Sequence, residues 1–335
     1  MSTFAKRRIG PFEVSAVGLG CMNLSHAYGE KASPEQAERV LLTALDEGVT
    51  HFDTAALYGF GANEELVGRV LGPHRDRIVL ASKCGMTGVD GTRVIDGRPE
   101  TLRRTVDEAL ARLRTDVIDL YYLHRLDRAV PVEESVGAMA EMVAAGKVRA
   151  LGLSEVSADT LRRAHAVHPI AALQNEYSLW SRNPEQGTLE ATRELGVALV
   201  AFSPVARGFL TSVAPDLDAL PGNDIRRGMP RFGAEHYPGN LALRRELLAV
   251  AEEAKVTLAQ LALAWVVSRG PHVVAIPGTR SVAHLRENLS TLDVEVPAET
   301  LEAAGRILNA STVHGPRYNA GTLVEIDTER CGDAG

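Results

Sequence analysis

Apolar positions along the chain alternate between two rhythms. Short continuous apolar runs, the mark of strands covered on both faces, alternate with stretches in which apolar residues recur every three or four positions, the mark of amphipathic helices. The runs Ser15–Met22, Val49–Asp53, Arg77–Lys83 and Val117–His124 read as strands, as do Val148–Ser154, Ile170–Asn175, Val197–Ser203 and His272–Ile276. Helical periodicity marks Pro34–Gly48, Asn63–Leu71, Pro99–Arg114, Val132–Ala145 and Ala158–Val167. It returns at Gln186–Leu195, Leu241–Lys255, Leu258–Ser268, Ser281–Thr291 and Pro297–Asn309. Boundary residues agree with these assignments. Ser33 precedes Pro34 as an N-cap precedes a first-turn proline, the stripe Ala37, Val40, Leu41, Ala44 and Leu45 follows, and Gly48 closes it. Glu64 and Glu65 suit the positive end of the second helix.

Eight strands each lead into a helix. That number of βα units in roughly 250 residues predicts a (β/α)8 barrel, with a doubly wound open sheet as the alternative that periodicity alone leaves standing. The Gly/Pro-rich stretch Ala206–Asn240 after the seventh strand exceeds ordinary loop length and is expected to cover the active-site face. Pro297–Asn309 is an extra helix after the eighth unit. The tail from about Ser311 shows no period, and its end is expected to be partly disordered. No linker interrupts the βα alternation, so residues 1–335 are expected to form one domain, with a core over about 8–309 and a tail over about 311–335.

Composition narrows the function classes. With 45% hydrophobic and 24% charged residues, the chain can bury a substantial core. Its 36 Lys and Arg against 43 Asp and Glu give a net charge of -7, which disfavours a general nucleic-acid binder but not a local basic pocket for one anion. No apolar run is long enough to span a bilayer, and MSTFAKRRIG lacks the apolar core of a signal peptide. Cys21, Cys84 and Cys331 are too widely spaced for a disulfide framework or a metal cluster, so no metal is expected and the cytoplasm is the expected compartment.

In a barrel, polar residues at the carboxyl ends of strands are the catalytic candidates. Asp53 ends the second strand, Lys83 the third and His124 the fourth, and Tyr58 lies five residues beyond Asp53. These four side chains are expected to converge on one mouth. The segments around them are FDTAALYG at 52–59, LASKCG at 80–85, IDLYYLHR at 118–125 and GLSEVS at 152–157. Further on come LQNEYSLW at 173–180, AFSPVARGFL at 201–210 and IPGTRSVAHLRENL at 276–289. In this order and spacing, from about Arg8 to Asn309, the chain resembles the aldo-keto reductases, NAD(P)(H)-dependent oxidoreductases built on a (β/α)8 barrel.

The resemblance implies a tetrad of Asp53, Tyr58, Lys83 and His124. A phenol has a pKa of about 10, so it is a poor acid at neutrality unless tuned. Lys83 is expected to lower it, with Asp53 holding Lys83 charged. Tyr58 then exchanges a proton with the substrate oxygen, and His124 orients the carbonyl. The resemblance further makes Met22 and Asp53 cofactor contacts and places Ser154, Glu155 and Gln174 against the nicotinamide carboxamide, although relatives commonly carry Asn where this chain has Glu155. A carboxylate accepts from an amide NH2 but cannot donate to its oxygen. Phe202 keeps the flat face of a stacking tyrosine, while Ser203, Val205 and Arg207 match the stretch around the ribose and diphosphate, with Arg207 as a bidentate phosphate ligand.

Gly278, Thr279, Arg280, His284, Glu287 and Asn288 match the adenosine-phosphate segment. Arg280 favours NADP(H) over NAD(H), and His284, where relatives often have Arg or Gln, weakens that preference. The implied partner is a small carbonyl compound or alcohol met by Tyr58, His124 and Trp180, with Tyr28, Leu57 and Phe232 as further candidate walls. Neither nucleic acid nor membrane is an expected partner, and the chain is expected as a monomer or homo-oligomer. A cofactor-bound regulatory subunit with slow residual activity is the alternative, because some relatives serve potassium channels in that way. Arg226, Arg227 and Arg231 are expected in an exposed loop, and Cys84 as a buried residue.

Overall fold

The computed structural model describes residues 6–25, 27–89 and 91–328. Eight parallel strands follow one another around a barrel: β1 (Leu19–Gly20), β2 (His51–Asp53), β3 (Val79–Cys84), β4 (Ile118–Leu123), β5 (Val148–Ser154), β6 (Ile170–Glu176), β7 (Ala198–Phe202) and β8 (Val273–Ile276). The ring closes where Val17 bridges Ala275 and Gly18 N–H donates to the Ala275 carbonyl at 2.8 Å. This settles the choice between closed and open sheets.

Around the barrel lie α1 (Pro34–Asp46), α2 (Ala62–Leu71), α3 (Pro99–Leu113), α4 (Val132–Ala144), α5 (Ala158–Val167) and α6 (Thr188–Leu195). They are followed by α7 (Tyr237–Glu253), α8 (Leu258–Val267), α9 (Val282–Ser290), α10 (Ala298–Ile307) and the short α11 (Ala320–Leu323). Ser33 accepts from the Gln36 amide with Pro34 in the first turn, as the sequence predicts.

Strand periodicity decides what faces the barrel axis. Val79 and Ala81, Leu120 and Tyr122, and Ala198 and Val200 form the inner cluster, while Leu80, Tyr121 and Leu199 face the helices. The same two-residue alternation carries Lys83, His124, Ser154, Gln174 and Phe202 inward at the carboxyl ends. At the opposite end an antiparallel hairpin, Lys6–Ile9 with Phe12–Ser15, plugs the floor with Ile9 and Val14.

Four expectations change. The run Ser15–Met22 is not one strand. Ser15 Oγ donates to the Val17 carbonyl and accepts from the Thr50 amide, which interrupts the ladder, and a 3-10 turn occupies Met22–Leu24. The loop after β3 is a hairpin, Met86–Val89 with Thr92–Ile95. Ala206–Asn240 is built of 3-10 turns, and α7 begins at Tyr237 rather than Leu241. The tail, aperiodic in sequence, docks on the barrel as far as Thr328, with Arg317, Tyr318, Ile326 and Asp327 buried. Its last stretch, including Cys331, lies outside the described residues.

Candidate active site

Asp53, Lys83 and His124 reach the mouth because each continues the inward series of its strand. Tyr58 is brought there by the loop after β2. That loop is knitted by Asn63, which accepts from Thr54 Oγ1 at 2.6 Å and donates to the Cys21 carbonyl and Ser25 Oγ, both at 2.9 Å. Lys83 Nζ lies 2.5 Å from Asp53 Oδ1, 2.8 Å from the Thr54 carbonyl and 3.1 Å from the Tyr58 hydroxyl. Gln174 Nε2 donates to the second Asp53 oxygen at 2.7 Å. The Tyr58 and His124 rings meet edge to face at 5.8 Å. All four side chains are buried or nearly so.

Burial pulls the Lys83 pKa down, but Asp53 and Tyr58 outweigh it and hold the ammonium charged. For Tyr58, burial pushes the pKa up further than the lysine pulls it down. The lowering expected from sequence is thus present as an influence but loses to desolvation. The phenol keeps its proton, the state a general acid requires.

A cleft of about 1110 Å³ runs from this group across the mouth. Tyr58, His124, Asp53 and Met22 line one end, with Ser154, Gln174 and the Phe202 ring beside them. Ser203, Val205 and Arg207 continue the wall, and Gly278, Thr279, Arg280, His284, Glu287 and Asn288 form the far end. At Gly278 a side chain is impossible, since a Cβ would sit 2.5 Å from Asn23 Oδ1 and 2.9 Å from the Gly20 carbonyl. There the first and last βα loops touch. Ser281 caps α9, whose first turn opens on the cleft, and Arg280 hydrogen-bonds the Glu30 carbonyl across it.

Several expected contacts are not made. Glu155 does not line the cleft. It is one residue past the inward Ser154, so it points outward, where it pairs with Arg317 at 2.5 Å and accepts from the Glu176 amide at 2.7 Å. Arg207 is committed to Glu176 at 2.7 Å and to the Tyr318 and Tyr28 hydroxyls, so it has no free fork for a bidentate phosphate grip. Trp180 is buried against Phe209 and Phe232 and does not reach the cleft, nor does Phe232. Arg231 is not exposed: it donates to the Trp180 and Gly315 carbonyls beneath the loop. Tyr28 and Leu57 do line the cleft.

Sequence reasoning did not single out Arg125, Phe60 or the tail residues Tyr318, Asn319 and Thr322, all on the cleft wall. For Arg125 the signal was its place directly after His124. The tail residues carried none, because nothing in their spacing marks a docked strap.

The comparisons agree with this architecture. The chain is 41% identical over 313 residues to probable aldo-keto reductase 1 of Glycine max, covering 92% of this chain and 90% of the relative. It is 40% identical over 332 residues to aldo-keto reductase yakc of Schizosaccharomyces pombe, a protein named for NADP(+), covering 96% and 97%. Its fold matches that of a glycerol dehydrogenase from Gluconobacter oxydans with a TM-score of 0.83 at 29% identity, covering 94% and 98%. The sequence model of the Aldo/keto reductase family matches residues 16–308, a span that holds the whole barrel and every residue of the Asp53–Lys83–Tyr58–His124 cluster. An oxidoreductase family of this breadth explains why an acid, a lysine, a phenol and an imidazole meet at one end of the cleft, and to it, the aldo/keto reductase family, this chain belongs.

Proposed function

We propose that this chain interconverts an aldehyde or ketone and the corresponding alcohol using NADP(H), with Tyr58 as proton donor and acceptor. The observation that carries the reading is the Tyr58 hydroxyl 3.1 Å from a lysine that Asp53 holds charged. The cleft fits a dinucleotide. It is lined by the Phe202 ring and by the polar side chains of Ser154 and Gln174, and its β8 side carries the N-terminus of α9 with Arg280 beside it. Arg280 and the NADP(+) named for the S. pombe relative support the phosphorylated cofactor. A bound nicotinamide supplies the hydride.

The chain's own residues do the remainder. Tyr58 gives its proton to the carbonyl oxygen as that oxygen gains negative charge, and Lys83 stabilises the phenolate left behind. His124, edge-on to Tyr58, holds the carbonyl oxygen in reach of the phenol. In the reverse direction the same phenolate takes the alcohol proton.

Tyr58→Phe tests the reading, because it removes the transferable proton and little volume. Turnover of a good aldehyde should fall by roughly 100-fold or more while NADPH affinity stays near wild type. Wild-type steady-state rates in Tyr58→Phe would overturn the assignment.

A further inference from the structure

Resting on the carbonyl-reductase reading, we propose that Arg125 makes the substrate end of the cleft a site for aldehydes or ketones that carry a carboxylate. Arg125 follows β4, next to His124, on the cleft wall. One terminal nitrogen donates to the His124 carbonyl at 2.7 Å and to Ser154 Oγ at 3.3 Å. Its Nε is buried and meets no acceptor among the described residues. Among those residues no carboxylate lies within 4.0 Å of its guanidinium.

Of the other arginines on the cleft wall, Arg227 and Arg280 donate only to backbone carbonyls, at the β7 and β8 side, and the remaining three have carboxylate partners. Arg93 pairs with Glu325, Arg207 with Glu176 and Arg226 with Asp224. A half-buried guanidinium without a counter-charge is costly, and a ligand anion supplies what the protein does not.

Position separates this anion from the cofactor's phosphates. The phosphate-side features, Gly278 to Asn288 and the N-terminus of α9, follow β8. In an eight-stranded ring β4 and β8 are diametrically opposed, so Arg125 faces the phosphate segment from across the mouth. It stands instead beside the reacting group, near enough to Tyr58 to act on its ionisation, though less than burial, Lys83 and Asp53 do. The neighbouring wall is apolar, with Leu57 and Met86 packed around Tyr58 and Phe60 at the rim. An apolar body with one carboxylate matches that wall, and in a chain of net charge -7 such a substrate needs a local cation.

The test pairs 4-carboxybenzaldehyde with 4-nitrobenzaldehyde, which has a similar planar shape, no charge and a more electrophilic carbonyl, with NADPH, so the readout is the change in their kcat/KM ratio between wild type and variant. Arg125→Gln should lower the carboxylate-to-nitro ratio by roughly 10- to 100-fold, chiefly through KM, and Arg125→Lys should restore part of it. A ratio unchanged by Arg125→Gln overturns the proposal. So does an equal loss of NADPH affinity in a direct fluorescence titration, which would assign Arg125 to the cofactor. Should neither aldehyde turn over, the reductase reading fails by itself. Calorimetry with 4-carboxybenzyl alcohol then decides the subsite: binding weakened in Arg125→Gln sustains it, and equal binding overturns it.

Discussion

Lys83 and Tyr58 set each other's protonation against a common background of burial. Desolvation raises the phenol's pKa and Lys83 pulls it back, while Asp53 pushes it up again. Lys83→Met removes the one strong downward influence and keeps the approximate length of the stem. The phenol's pKa therefore rises further, and the basic limb of the pH–rate profile for carbonyl reduction should move to higher pH. The rate should fall by roughly 100-fold, since the phenolate formed in the reaction loses its nearest cation. In alcohol oxidation the rising limb moves upward too, because the same phenolate must form before it accepts a proton. A thermal melt run in parallel separates chemistry from structure. A lowered melting point with an unmoved pH profile would mean that Lys83 only fills the barrel beneath Tyr58.

The elements that carry these residues are held by contacts of unequal visibility. α2 and α3 cross so closely at Gly68 that a Cβ there would lie 2.5 Å from the Leu113 carbonyl carbon and 2.6 Å from the Arg112 carbonyl oxygen. Alanine gains about 1 kcal/mol in helix propensity over glycine, but backbone atoms cannot swing away as a side chain can. Gly68→Ala should thus be destabilising by about 1–3 kcal/mol net in denaturant melts, and a neutral or stabilising result would show that the two helices separate freely. Gly68 reads in sequence as an ordinary interruption of a helix, since its crossing partners, Arg112 and Leu113, are remote in sequence. Strand parity, by contrast, is local. It was enough to bring Asp53, Lys83 and His124 to one mouth, and it also turns Glu155 away from it. The motif resemblance pointed Glu155 inward and parity pointed it outward, and the strand geometry won. Hairpin 86–95 was hidden because its strands are short and half-exposed. Trp180 was misplaced because a large aromatic residue after a strand end suits a core as well as a wall.

Across the whole molecule, the tail binds parts of the barrel that are remote in sequence. Arg317 lies between Glu155 at the end of β5 and Glu176 at the end of β6, at 2.5 and 3.4 Å. Asp327 accepts from Ser157 Oγ at 2.7 Å and Thr160 Oγ1 at 2.5 Å at the start of α5, and Arg128 holds the Val324 and Ile326 carbonyls. Tyr318, between them, reaches the cleft. Burial pushes the Glu176 carboxyl up, but Arg207 and Arg317 outweigh it and hold it at about 2. Since that is below the value of about 4.3 in an unfolded chain, the charged form stabilises the fold fully above that pH. The contribution fades as pH falls toward 2. Arg317→Met leaves Glu155 without its cation and Glu176 with one fewer, which should cost about 3–5 kcal/mol at pH 7. The deficit should shrink as pH drops from 5 to 3. In the variant Glu176, left with Arg207 alone, takes up its proton at higher pH than in wild type, where the second cation holds it down. Urea melts at several pH values check both the size and the trend. A deficit constant across that range would mean that Arg317 contributes only by packing, and that the tail is fastened to the barrel by its carbonyl and cap contacts instead of by charge.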